Sequence, residues 1–140
     1  MNSALNQQVG GEHYKKLLYQ PIMFISKMHL SFSQGCIVKY VSRYKQKNGI
    51  EDLKKAIHYC KLAQEVLDYS PLRAWWFCLW HNKTEKELLK YYRCNDFSGF
   101  AEDCIKHTVY CNFEEAITDL YLLIYHEFEA THLSRKQSEK

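Results

Sequence analysis

The stretch from Glu51 to Tyr69 contains neither glycine nor proline. Apolar residues return along it at Leu53, Ala56, Ile57, Cys60, Ala63 and Leu67, the three-and-four spacing of one helix face. Glu51 and Asp52 stand in its first turn, where negative charge complements the helix dipole. The pattern is helical, and much of the remaining chain repeats it. Five glycines and two prolines in 140 residues leave too few turns for a sandwich or barrel, so the 3 Trp, 11 Tyr and 7 Phe are expected to pack helices together.

Pro21 suits the first turn of a short helix carrying Ile22, Phe24, Ile25 and Met28. Ser31 or Ser33 caps the next, about Gln34 to Lys47, with Ile37, Tyr40, Val41 and Tyr44 on its stripe and Asn48-Gly49 as its stop. After the long helix, Ser70 and Pro71 restart the chain into a segment whose Trp75, Trp76, Phe77, Leu79 and Trp80 are apolar almost all round. Such a segment is expected to be buried or to be an oligomer contact. Thr84 with Glu87 reads as a capping box before Leu88, Leu89 and Tyr92. A loop near Asp96 to Gly99 leads into a helix ending about Cys111. Asn112 with Glu115 then opens a last helix expected to bury Phe113, Ala116, Ile117, Leu120, Leu123, Ile124 and Phe128. The expectation is one all-α domain over 1–140, with six or seven helices: a basic half (9–69), an aromatic-rich half (70–133) and a frayed tail (134–140).

Charge divides unevenly. Residues 1–70 carry net +5 and residues 71–140 net −2, so the first half is the better partner for an anion. Cys36, Cys60, Cys78, Cys94, Cys104 and Cys111 form no Cys-x-x-Cys pair and are expected to be reduced core residues. The longest apolar run, Ala74 to Trp80, falls far short of the roughly 20 residues that span a bilayer. The first residues lack the apolar core of a secretion signal, so the expected location is the cytoplasm, with no membrane partner.

Lys39 and Arg43 stand four apart on one helix face and Lys47 extends the row. That arrangement could bracket phosphates, Arg43 by its fork and Lys39 as a point charge, or could be a solvated face. Gly10-Gly11 would let backbone N–H groups approach an anion, and His13 titrates near neutrality; a mobile terminal turn is the plainer reading. Tyr14, Tyr40, Tyr44 and Tyr59 fall in the basic half, where rings could stack on a base or pack the core. No P-loop and no Gly-x-Gly-x-x-Gly occurs. Cys104, His107 and Cys111 lack the tight loop pairs of structural zinc, and Glu65-x-x-Asp68 is half of a magnesium pattern. No metal site is expected.

Taken in order, Val9-Gly10-Gly11-x-His13-Tyr14, Gln20-Pro21-Ile22-x-Phe24-Ile25, Phe32-x-x-Gly35-x-x-x-Lys39-Tyr40-x-x-Arg43-Tyr44, Lys47-Asn48-Gly49-x-Glu51-Asp52-Leu53-Lys54-Lys55-Ala56 and His58-Tyr59 resemble a small phage-encoded family. Its best-understood branch is a nucleotide kinase without a P-loop. The resemblance covers residues 9–67. It implies an all-helical phage protein of the host cytoplasm that recognises nucleotides, forms homo-oligomers and moves a phosphoryl group from a nucleoside triphosphate to deoxynucleoside monophosphates. The nucleoside triphosphate is then the phosphate donor, no other cofactor is called for, and nucleic acid is not an expected partner. On this footing His13, Arg43 and Lys39 are candidate catalytic residues. Gly10, Gly11, Tyr14, Tyr40, Tyr44, Lys47, Lys54, Lys55 and His58 are candidate nucleotide-binding residues. The alternative is a non-catalytic phage effector that sequesters a nucleotide signal or blocks a host defence protein.

Overall fold

The computed structural model describes residues 4–7, 9, 11–12, 14–66, 68 and 71–138, except the side chains of Pro71, Arg73, Ala74, Phe77 and Ser138. Among the described residues there are seven α-helices and no strand: α1 (Pro21–Lys27), α2 (Phe32–Arg43), α3 (Ile50–Glu65), α4 (Pro71–Leu79), α5 (His81–Asn95), α6 (Phe100–Val109) and α7 (Phe113–Ser138). Short 3-10 turns occupy Ala4–Asn6 and Tyr44–Gln46. The fold is all-α, as the periodicity predicts.

Four helices make the bundle. α2 packs between α3 and α6, and α7 closes the square by packing on both α3 and α6. Hydrogen bonds fix the directions. The start of α2 meets the chain just beyond α3 (Ser33 N–H to Asp68 Oδ2, 2.7 Å) and its end meets the start of α3 (Arg43 to Asp52), so the two run antiparallel. His107 near the end of α6 reaches Asp119 in the second turn of α7 (2.7 Å), making a second antiparallel pair. α4 and α5 form the crossover between the pairs, and α1 lies on α2. One contiguous core takes Ile37, Val41, Leu53 and Ala56 from the basic half and Leu88, Ile105, Ala116 and Leu120 from the other.

Buried polar groups specify this packing. Ser31 and Gln34 form a reciprocal capping box at α2. The fully buried Gln34 also donates from Nε2 to the Thr108 carbonyl at 2.7 Å, tying α2 to the end of α6. Gly35 sits where a Cβ would stand 3.1 Å from Ile25 Cγ2, so its hydrogen lets α1 approach α2. Before α1, Asn95 holds the Tyr19 backbone from both sides (3.2 and 2.8 Å), and the Tyr19 hydroxyl donates to Glu87.

Several elements depart from expectation. α2 stops at Arg43 and tightens into the 3-10 turn, and α3 ends at Glu65. The Ser70 cap and Leu67 lie outside the described residues. α5 begins at His81, which places Thr84 inside the helix, and Glu87 bonds Lys27 and Tyr19 rather than its own cap. α1, α5 and α6 close through His29, Asp96 and Cys111 in the left-handed region, with Leu30, Phe97 and Asn112 N–H groups returning to the preceding turn. None of these three is glycine, so composition carried no warning. The tail stays helical to Ser138. Phe128, expected on the buried side, is exposed. So are Trp75, Trp76, Leu79 and Trp80, whose burial within the chain was one of two expectations; the Phe77 side chain lies outside the described residues. Cys36, Cys60 and Cys104 are buried free thiols as expected, whereas Cys78 is exposed.

Candidate functional site

The α2–α3 hairpin gathers one group of the predicted residues on its outer side. Four-residue spacing puts Lys39 and Arg43 on one face of α2 with Tyr40 between them. The Lys39 ammonium lies 4.7 Å from the Tyr40 ring centroid and the Arg43 guanidinium 4.8 Å from it, each within cation–π range. Tyr59 of α3 stacks on Tyr40 (centroids 5.8 Å, planes 28° apart) and takes the edge of Phe32 (6.0 Å). His58 stands exposed beside Tyr59, with its ring 6.1 Å away. A hollow of about 230 Å3 opens next to this stack, with Phe32, Gly35, Cys36 and Lys39 among its walls.

Arg43 is anchored from beneath. Its Nε donates to Asp52 Oδ2 at 2.9 Å and Nη2 to Oδ1 at 3.2 Å, a forked pair with a fully buried carboxylate. Asn48 donates to the same carboxylate at 3.3 Å, and Lys55 stands 4.0 Å from it while pairing with Glu51 at 2.6 Å. Arg43 Nη1 donates to the Tyr14 hydroxyl at 3.2 Å, which brings the N-terminal string to the hairpin. Burial by itself would lower the guanidinium's pKa; the hydrogen bond to Asp52 and the Tyr14 contact outweigh it and hold Arg43 above its ordinary value. Burial likewise raises Tyr14, against the pull of Arg43. For Lys55, bonding to Glu51 is the main cause of an upward shift.

The hairpin therefore joins Tyr14, Lys39, Tyr40, Arg43, Lys55 and Tyr59. Tyr44 does not join them. It points into the bundle, buried, and donates to Glu127 of α7 at 3.2 Å; burial and that carboxylate both raise its pKa. Lys47 and Lys54 are exposed. Gly11 is exposed with φ +111°, and Gly10 and His13 lie outside the described residues. Phe32, the exposed aromatic wall of the hollow, and Asp52, the anchor of Arg43, stand in the motif strings of the sequence but were not assigned to the site. A signal for Asp52 existed: an acid in the first turn of one helix, across a short turn from a basic residue in the last turn of another.

Elsewhere, Asp68 spends its carboxylate on the Ser33 N–H, and His107 pairs with Asp119. Among the described residues no group of three His, Cys, Asp or Glu side chains is arranged to hold a metal ion, and no helix is long and apolar enough to cross a membrane.

Residues 9–61 match the model of a family described as a protein of unknown function (DUF3310). That match takes in α1, α2 and the first three quarters of α3, and so every residue of the hairpin face. The comparison with curated proteins gives no match, nor does that with solved structures.

Proposed function

We propose that this chain is a nucleotide-binding protein and that the outer face of the α2–α3 hairpin holds the nucleotide. The observation that carries the reading is the convergence of Lys39 and Arg43 on a Tyr40–Tyr59 stack beside a hollow walled by Phe32. Stacking on aromatic rings recognises a base through its π face, and ammonium groups at the rim meet its phosphates. A hollow of about 230 Å3 lies below the usual range for whole small-molecule sites, so it suits the base and leaves the phosphates at the surface toward Lys39.

Binding without turnover is the form that the Arg43 geometry favours. Phosphoryl transfer is driven by positioned cations that meet charge as it develops. Arg43 already faces a fully buried carboxylate in a forked bond, which makes it a positioning residue for Tyr40 and Tyr14. Transfer to deoxynucleoside monophosphates is the second reading; it is favoured by Lys39, whose ammonium sits at the hollow and bonds no carboxylate among the described residues.

Calorimetry with mono- and triphosphates tests the proposal. Loss of one stacked base or one phosphate contact weakens binding by about 1–3 kcal/mol, so Tyr59→Ala and Lys39→Ala should each lower affinity about tenfold or more, measured well below the melting temperature of each variant. Wild-type affinity in both variants, or no binding by the parent, overturns the reading. Diphosphate formed from a deoxynucleoside monophosphate and a triphosphate would replace sequestration by transfer.

A further inference from the structure

The C-terminal turn of α1, the end of α4 and the first turns of α5 enclose a cleft of about 350 Å3, within the range of small-molecule sites. We propose that this cleft is a second ligand site, which takes a planar aromatic ring carrying one anionic group. The proposal stands whether or not the hairpin face binds nucleotides.

One wall is aromatic. Trp76 and Trp80 lie one helical turn apart with ring centroids 5.8 Å from each other and planes tilted by 38°, and each stays about half exposed at 55% and 51%. Rings in contact at that tilt leave no slot between them, so a ligand ring stacks on their open faces toward the cleft. Met28 lines the opposite side, a polarisable partner for a ring edge.

The polar groups choose an anion. Glu87 is the cleft's carboxylate, and it is already satisfied: Lys27 pairs with it at 2.6 Å and the Tyr19 hydroxyl donates to it. Those bonds, against the effect of burial, hold Glu87 below its ordinary pKa, so it stays charged and neutralises Lys27. Lys83 remains as the uncompensated cation, with no carboxylate partner among the described residues. Its N–H bonds the Trp80 carbonyl at 2.9 Å, one turn further along the chain. Lys83 and Trp80 line the same cleft, so a ring lying on Trp80 can turn its acidic substituent toward the Lys83 ammonium. An adjoining hollow shares Trp80 and Lys83 and adds Lys86, which extends the positive rim.

The three tryptophans of the chain all lie in or directly after α4, so intrinsic Trp emission reports on this cleft and on nothing at the hairpin face. The full chain is titrated with AMP, GMP, CMP and UMP and with the aromatic anion anilinonaphthalene sulfonate. Adenosine and inorganic phosphate serve as half-ligands. Saturable quenching by at least one aromatic anion is expected, with adenosine about tenfold weaker than AMP because the charged contact to Lys83 is lost, and phosphate silent. Lys83→Gln should reduce AMP to the level of adenosine, and Trp80→Leu, checked for retained helicity by circular dichroism, should remove the response. The proposal is overturned if no aromatic anion quenches saturably. It is also overturned if AMP quenches Lys83→Gln with the parent's affinity. A ligand-free emission that shifts with protein concentration while light scattering shows a doubled mass would assign the Trp face to a second copy instead, against the proposal.

Discussion

Replacing Asp52 by alanine should break the buried ion pair that anchors the candidate site. Asp52 is fully buried and the Arg43 side chain is 12% exposed, so the variant leaves a guanidinium beneath the hairpin face with no carboxylate to meet it. Breaking one side of a buried pair costs about 3–5 kcal/mol. The low end applies here, because the Tyr14 hydroxyl still accepts from Nη1 and Lys55 loses only a 4.0 Å contact. For a chain of this size about 3 kcal/mol corresponds to a fall of roughly 12 °C in Tm, using about 4 °C per kcal/mol. Arg43→Ala should cost a similar amount, since it strands a buried carboxylate with Asn48 as its main remaining donor. The double replacement Arg43→Met with Asp52→Leu should recover most of the loss, because apolar residues of similar volume substitute well for buried ion pairs. Urea unfolding of the parent, Arg43→Met, Asp52→Leu and the double variant completes a double-mutant cycle. A loss below about 1 kcal/mol in Asp52→Ala, or a double variant no better than the singles, would refute the view that this pair secures the hairpin. The outcome also governs any activity assay, since a phosphotransfer defect in Arg43→Ala is interpretable only beside its Tm.

Further expectations concern packing and titration. Gly35→Leu should destabilise by about 1–3 kcal/mol through collision with Ile25, read as a lower urea midpoint at unchanged slope. Tyr91→Phe should cost about 1 kcal/mol, because the fully buried Tyr91 hydroxyl bonds Ser42 Oγ at 2.7 Å while Ser42 donates to the Val38 carbonyl. Burial pushes the Cys60 thiol up to about 12 from an ordinary value near 9. The folded pKa is the higher one, so this contribution is fully present below pH 9 and is lost as pH rises from 9 toward 12. Unfolding midpoints at about pH 8 and about pH 10 should therefore differ more in the parent than in Cys60→Ala. Alkylation of the native protein should reach the exposed Cys78 first and leave Cys60 and Cys104 protected, as mapped by mass spectrometry.

What could be read along the chain was whatever depends on neighbours within a turn or two. The α3 stripe, the Pro21 start, the Ser31 cap and the all-α class follow from helical period and end chemistry, both short-range. The placing of Lys39, Tyr40 and Arg43 on one face follows in the same way. Tertiary structure decided which partner each face meets. Tyr40 and Tyr44 lie one turn apart on the same stretch, yet one stacks on Tyr59 of α3 at the surface and the other, in the 3-10 turn, is buried against Glu127 of α7. Thr84 and Glu87 carry the letters of a cap, and only the docking of Tyr19 and Lys27 turns Glu87 to another use. Trp76 and Trp80 are apolar enough to suggest a core, and whether a helix face is covered depends on the path of the whole chain. The cations of the basic half were legible as charges. That Arg43 is held by Asp52 while Lys39 stays at the hollow depends on the register of the hairpin, and one turn of slip would exchange those roles.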